Sequence, residues 1–478
     1  MVPGFLLALR RPAPLNSTLM SLLSREATVA GPGFSRWRVP PAAIAVHLCI
    51  GQVYGFSVFN KPLAAALGAP VSSVNWAYQI ALMMLGISAA VFGKWVERSG
   101  PRKTMVAACL CFCGGLLLAA LGVKLKLLGL ILFGYGFVGG IGLGLGYIAP
   151  VSTLVKWFPD RPGMATGMAI MGFGGGALVG SPLAQELMEF FKDPEPAAPL
   201  LTPVKAVLNA LAGGPGEGAM QALLTMAVLY TGLMLFGAAL VRVPAADWRP
   251  QGFVPKPSAA GGMITSASVA VDTAWKTPQF WLLWIVLCMN VSAGIGILGR
   301  AADMCQDMFG VGVAIGAGFT GLLSLFNMGG RFVWSSVSDF TGRKTVYCLY
   351  FLLGALLYAL LPYTQQTQNR TFFVACTAVI ISMYGGGFAT IPAYLKDLFG
   401  THQVGAIHGR LITAWSMAAV IGPGLINGLY DRRVAAGIPR AEAHNDTFYL
   451  MCGLLMIGLV ANLLVRPVDP KHHVKEAS

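Results

Sequence analysis

Apolar residues in this chain gather into long unbroken runs, with polar residues confined to the short stretches between them. A helix needs about 17 or more such residues to cross a hydrocarbon core. Twelve runs reach that length, at 41–60, 75–95, 104–122, 127–154, 164–190 and 221–243, then at 279–300, 313–338, 345–362, 371–395, 406–430 and 447–465. Backbone groups left unpaired in lipid each cost several kcal/mol, so the runs must be helices. The pattern predicts an all-α membrane protein with twelve transmembrane helices.

The polar stretches divide the chain. Residues 244–278, rich in Pro, Gly, Ser and Ala, separate six runs from six and read as a linker between two bundles, 41–243 and 279–466. Residues 1–40 hold only the short apolar piece FLLAL, followed by Arg10, Arg11 and several prolines. That is too short to span and wrongly flanked for a signal peptide, so a disordered cytoplasmic tail or an over-extended start is expected there. A second tail is expected at 467–478. The segment at 191–220 has room for a short interfacial helix, to which the sequence assigns no function.

Composition agrees with this picture. Hydrophobic residues make up 56% of the 478 and charged residues only 11%, against roughly 25% charged in soluble domains. The 60 glycines suit close helix packing in lipid. The net charge of +14 does not point to nucleic acid, because the basic residues sit in clusters at the ends of apolar runs. With the N-terminus placed inside, the inner segments hold 21 Lys and Arg and the outer ones nine, so both termini are expected in the cytoplasm of a cell (inner or plasma) membrane. The nine cysteines form no CxxC pair and no zinc-type spacing. No metal or cofactor is expected, nor any catalytic group.

The two halves repeat one another. "GKWVERSGPRK" from Gly93 and "SSVSDFTGRK" from Ser335 share an acid, a glycine three residues later and a basic pair. Glu97 and Asp339 are 242 apart, and the same offset relates Pro150 to Pro392, Gly167 to Gly409 and Gly180 to Gly422. Two like-oriented halves should be related by a pseudo-two-fold along the membrane normal.

These loops resemble the signature of the major facilitator superfamily, and the resemblance covers nearly the whole chain. "YGFSVFNKPL", "KTPQFWLLW", "LFNMGGRFVWSSVSD", "YLKDLFG" and "GRLITAWSMAAVIGP" are together similar to its oxalate:formate antiporter branch, related to the monocarboxylate transporters. The resemblance implies a carrier working by alternating access. It implies a gating role for the loop residues Glu97, Arg98, Gly100, Arg102, Asp339, Gly342 and Arg343.

Arg331 lies eight residues before Asp339, or about 12 Å up the helix at 1.5 Å per residue. An arginine that deep costs at least about 2.5 kcal/mol and normally faces a cavity or a partner. No acid occupies the middle of any run, which makes an anionic cargo its natural partner, with backbone carbonyls or water as the alternative; a guanidinium can hold a carboxylate by two parallel hydrogen bonds. In the family the matching arginine binds the carboxylate, and the resemblance adds Tyr54, Tyr147 and Tyr384 as cavity residues. It also exposes two departures. Oxalate-exchanging members have a lysine where this chain has Trp415, which favours a monoanion over a dianion. Animal-type members carry an aspartate where this chain has Asn327, and an amide cannot titrate. His47 is read as the one histidine inside a span, able to titrate near neutrality or, near a helix end, to serve as a packing residue. Arg300 and Arg410 lie near span ends, from which they can snorkel to water.

"GYGFVG" at Gly134 to Gly139 has the form of a dinucleotide-binding loop, but inside an apolar run it reads as close helix packing. Glycines and prolines at 176–182 and 422–424 resemble, loosely, the Gly-Pro motif of antiporters. The expected partners are a small carboxylate and the lipid bilayer, with no nucleic acid, and the chain is expected to act as a monomer that is not an enzyme. A dicarboxylate or other organic-anion exchanger is the alternative within transport, and a non-transporting membrane sensor or enzyme is the rival from another class.

Overall fold

The computed structural model describes residues 22–193, 202–214, 216–246, 248–253, 263–265 and 267–474. Among them the architecture is all-α, with two isolated β-bridges and no strand. The helices are α1 (Val39–Gly51), α2 (Ser57–Leu67), α3 (Val71–Ser99), α4 (Pro101–Lys124), α5 (Leu128–Trp157), α6 (Pro162–Lys192), α7 (Thr202–Ala212) and α8 (Ala219–Leu240). They continue with α9 (Val271–Ala274), α10 (Pro278–Phe309), α11 (Val313–Thr341), α12 (Arg343–Gln366), α13 (Arg370–Phe399), α14 (Val404–Ala435) and α15 (Arg440–Leu464).

Ten of these are single helices long and apolar enough to cross a membrane, or eleven spans when the bent pair Arg36–Gly55 and Ser57–Leu67 is taken as one. The pair bends by 57° at a 3-10 turn, Gln52–Gly55. A β-carbon on Gly51 would run into the Phe173 backbone and one on Gly55 into Ser181, so α6 is pressed against both sides of the bend. Helix α11, 29 residues long, carries Ser324, Asn327, Arg331, Ser335 and Ser338 along its length.

Helices α1 to α8 pack mainly on one another, as do α10 to α15. The two sets meet along two seams, α6 against α11 and α3 against α14. Glycines set the closeness of both. A methyl at Gly167 would strike Ser335 and the Arg331 carbonyl, and one at Gly409 would strike the Ala89 carbonyl. The two glycines are 242 residues apart, as are Ala89 and Arg331, so the same glycine-to-carbonyl approach recurs in both seams. The "GYGFVG" stretch falls in a π-helical turn, Leu132–Val138, whose Gly134 backs onto Gly115 and Ala119 of α4.

The expected disordered tail is ordered over its described part, while residues 1–21 lie outside the described residues. Val243 and Thr28 exchange a backbone hydrogen bond of 2.9 Å, and Arg36 pairs with Asp160 at 2.6 Å while its guanidinium covers the Phe158 ring at 4.5 Å. FLLAL, at residues 5–9, lies well before these residues and has no bearing on their contacts. The linker, whose residues 254–262 lie outside the described set, is anchored as well. Val269 donates to Phe399 at 2.9 Å and Thr265 to Asp397 at 2.8 Å, and Val474 beyond α15 donates to Ser268 at 2.8 Å.

Candidate functional site

Arg331 sits at the α6–α11 seam, fully buried at 0% exposure. Its approach is prepared by Gly330, which lies against the Ser382 backbone, and by Gly174, which faces the guanidinium from α6. Nε donates to Asn327 Oδ1 at 3.3 Å and Nη1 to the Ile170 carbonyl at 3.4 Å. Nη2 has no partner. The rings of Phe388 and Phe173 flank the charge at 5.1 and 5.7 Å, one from each bundle. None of the ion pairs among the described residues involves Arg331. A cation held by long bonds to two neutral oxygens and by two ring faces keeps most of its hydrogen-bonding capacity for something else.

The other five candidates from sequence gather around it. Tyr54 and Tyr384 bring their hydroxyls to 3.4 Å across the bundle boundary. Trp415 is buried with its ring 4.5 Å from Phe388, 5.4 Å from Phe173 and 6.1 Å from Tyr54. Tyr147 is buried against Trp415 at 5.6 Å and Phe173 at 5.4 Å, and neither its hydroxyl nor the Trp415 indole nitrogen has a partner. Asn327 is spent on Arg331 as described.

Sequence reading missed Phe173, Phe388 and His408. Phe173 was within reach, because it lies 242 residues before Trp415 and fills the matching place in the other bundle. His408, inside the run 406–430, is a second buried histidine, and its ring lies 5.8 Å from Tyr147, which also has His47 at 5.5 Å. The expectation that His47 is alone therefore fails. Arg300 and Arg410 do not reach the site. Arg300 bonds Asn427 at 2.7 Å and covers Tyr430 at 4.0 Å, and Arg410 bonds Asp272 at 2.8 Å.

At the end of the molecule that holds both repeated loops, the seams are tied. Glu97 accepts from the Gly405 N–H at 3.1 Å and pairs with Lys156 at 2.8 Å. Asp339 accepts from the N–H groups of Gly163 and Met164, each at 2.8 Å, and pairs with Arg343 at 2.5 Å; Arg343 also reaches Asp397 at 3.1 Å and Ser338. Gly100 and Gly342, with φ of +81° and +89°, make the tight turns that let one helix follow another there, a conformation costly for other residues. Arg98 is exposed. Arg102 bonds the Ala238 carbonyl of its own bundle and the Leu22 carbonyl of the N-terminal segment. Neither crosses the seam.

A further clasp comes from α9. Asp272 receives Lys94 of α3 at 2.5 Å and Arg410 of α14 at 2.8 Å, and these two hydrogen bonds, Lys94 first, hold its carboxyl below the usual range.

The chain matches the Major Facilitator Superfamily over residues 42–423 and again over 321–478. It is 24% identical to an uncharacterized MFS-type transporter of Escherichia coli, over 81% of this chain and 86% of that one. It is 26% identical to the oxalate:formate antiporter of Oxalobacter formigenes, over 82% and 84%. It is 27% identical to apicoplast pyruvate carrier 1 of Toxoplasma gondii, over 74% and 69%. Among solved structures it is similar to a proton:xylose symporter, with TM-score 0.63, 14% identity and coverage of 90% and 96%. The E. coli fucose:proton symporter gives TM-score 0.59, 14% identity and coverage of 89% and 99%.

Proposed function

The chain belongs to the major facilitator superfamily, and from that premise we propose that it is a secondary transporter carrying a small monocarboxylate by alternating access, with Arg331 holding the carboxylate. The observation that carries this reading is the burial of Arg331 without a counter-charge and with Nη2 unpartnered. Leaving a buried donor unmet costs about 1–3 kcal/mol, and a carboxylate would accept from Nη2 and from the second N–H of Nη1 together. The printed names of two relatives add support, one for oxalate and formate, one for pyruvate. Asn327 positions the guanidinium, and Tyr54, Tyr147, Tyr384 and Trp415 enclose the cargo.

Charge counting favours a monoanion. Trp415 stands among rings, and a dianion there would keep one charge uncompensated in a dry site. The competing reading is a dicarboxylate exchanger, which the Oxalobacter relative recommends. In both readings the two bundles, 41–243 and 279–466, rock about the Arg331 level, joined by 244–278, in a single chain acting as a monomer. Both tails and the repeated loops lie in the cytoplasm by the excess of Lys and Arg there. The clasps of Glu97 and Asp339 then close the cytoplasmic side, shaped by Gly100 and Gly342 and charged by Arg343; Arg98 and Arg102 mark the side. This is a transport role and involves no catalysed reaction.

Uptake of labelled carboxylates into proteoliposomes tests the proposal, with and without internal counter-substrate. Monocarboxylate uptake is expected in the wild type, reduced in Arg331→Lys and abolished in Arg331→Gln. Wild-type uptake by Arg331→Gln would remove the assignment. Uptake that requires an internal dianion would favour the exchanger, whereas Trp415→Lys should add dicarboxylate transport to a monocarboxylate carrier.

A further inference from the structure

Three buried polar atoms near Arg331 have no hydrogen-bond partner: Tyr147 Oη, which encloses the cargo in the carboxylate reading, and His47 Nε2 and His408 Nε2, which that reading does not use. They belong to one ring cluster, with Tyr147 5.5 Å from His47 and 5.8 Å from His408. His47 and Tyr147 come from the first bundle and His408 from the second. Phe173 connects the cluster to the site, packing 6.5 Å from His47 and 5.4 Å from Tyr147 while lying under the Arg331 guanidinium.

The tautomer of His47 follows from its other nitrogen. Nδ1 lies 3.0 Å from the Ala43 carbonyl, which can only accept, so Nδ1 carries the hydrogen. In the neutral ring Nε2 is then a bare acceptor. An acceptor lone pair, a phenol and a second imidazole, all buried and unmet, suit a small group that both donates and accepts. A carboxylate cannot donate, and a methyl or hydrogen can do neither. A hydroxyl can do both.

We propose that His47 and His408 form a second polar subsite beside Arg331 that binds a hydroxyl of the carried acid, making the preferred cargo a hydroxymonocarboxylate. The proposal rests on the carboxylate reading of Arg331. His47 Nε2 accepts from the hydroxyl, and His408 and Tyr147 complete its hydrogen bonds from the opposite bundle and the same one. A cargo bound in this way bridges both halves of the carrier at two points, the carboxylate at α11 and the hydroxyl between α1 and α14. These histidines are specificity-determining residues. They act on which acid is held, and Arg331 on whether any acid is held.

The test compares binding and uptake of propionate, lactate and 3-hydroxypropionate by purified and reconstituted protein. In the wild type at least one hydroxy acid should bind about tenfold or more tightly than propionate, the effect of one well-made hydrogen bond. His47→Phe and His408→Phe should bring that ratio close to one with propionate unchanged, whereas His47→Asn and His408→Gln, which keep a polar group, should retain part of it. Equal affinity of the wild type for all three acids overturns the subsite while leaving the carboxylate site standing. Phe variants that weaken all three acids alike, with the amide variants no better, also overturn it, as does loss of pH-gradient coupling with the preference intact. If the wild type binds none of the three, the carboxylate reading has failed and the subsite with it.

Discussion

Glu97 accepts a hydrogen bond from the Gly405 N–H at 3.1 Å, so an acid that ends a helix of one bundle meets the start of a helix in the other. The relation recurs 242 residues along with the bundles exchanged, where Asp339 meets Gly163 at 2.8 Å. Each carboxylate faces the positive end of a helix and free N–H groups. The seam is closed by two copies of one device, and the copies differ in strength. Asp339 takes two N–H groups and Arg343, Glu97 one and Lys156.

Asp339→Asn is therefore expected to loosen the closed end more than Glu97→Gln. Hydrogen bonds to charged groups contribute about 1.5–3 kcal/mol each, and Asp339→Asn weakens two. Hydrogen–deuterium exchange of the amides at 163–164 and 405 measures this. The expected order of exchange is Asp339→Asn fastest, then Glu97→Gln, then wild type.

Gly174 gives a separate handle on the site. An added methyl would lie 2.8 Å from Arg331 Nε and 3.0 Å from its Cδ, whereas one at Gly329 meets nothing within 4 Å. Gly174→Ala should weaken carboxylate binding about tenfold, the consequence of losing about 1.4 kcal/mol, and Gly329→Ala should leave it unchanged. Titration of substrate into the purified variants reads both.

Asn327→Asp should turn the site pH-dependent. An ionised aspartate 3.3 Å from Arg331 Nε occupies the guanidinium and excludes the cargo, while the protonated form does not. Uptake by the variant is expected to rise as pH falls, with a slope steeper than that of the wild type. Initial rates from pH 5 to 8 decide it.

The Asp272 clasp is acid-resistant by the same logic run outside the membrane. Lys94 and Arg410 depress its carboxyl below the ordinary value, about 3.9 for Asp. Its contribution is complete above that value and is lost only as pH falls through the depressed one. Proteolysis of the linker near α9 should be unchanged between pH 7 and 5 in the wild type and faster throughout in Asp272→Asn. High salt should narrow the difference, since the groups are solvent-accessible.

Much of this protein is legible without coordinates. The apolar runs predicted the helices because a bilayer leaves the backbone no alternative. One offset of 242 predicted the two-fold kinship of Glu97 with Asp339. The depth of Arg331 followed from counting helical rise to Asp339, and its want of a partner from the scarcity of acids in the runs. What the runs could not show is where a helix bends or why residues 22–38 are ordered.

The sequence by itself determined the elements, their repeat and the depth of the charge on Arg331, since each depends on residues near one another along the chain or on a fixed offset. Only the tertiary structure decided that Asn327, Tyr54, Tyr147, Tyr384 and Trp415 surround that charge, that Phe173 and Phe388 cover it, and that His47 and His408 face Tyr147 from opposite bundles. Those relations join helices hundreds of residues apart. They are set by how closely glycine seams such as Gly167 against Ser335 allow the bundles to approach, a quantity no linear pattern contains.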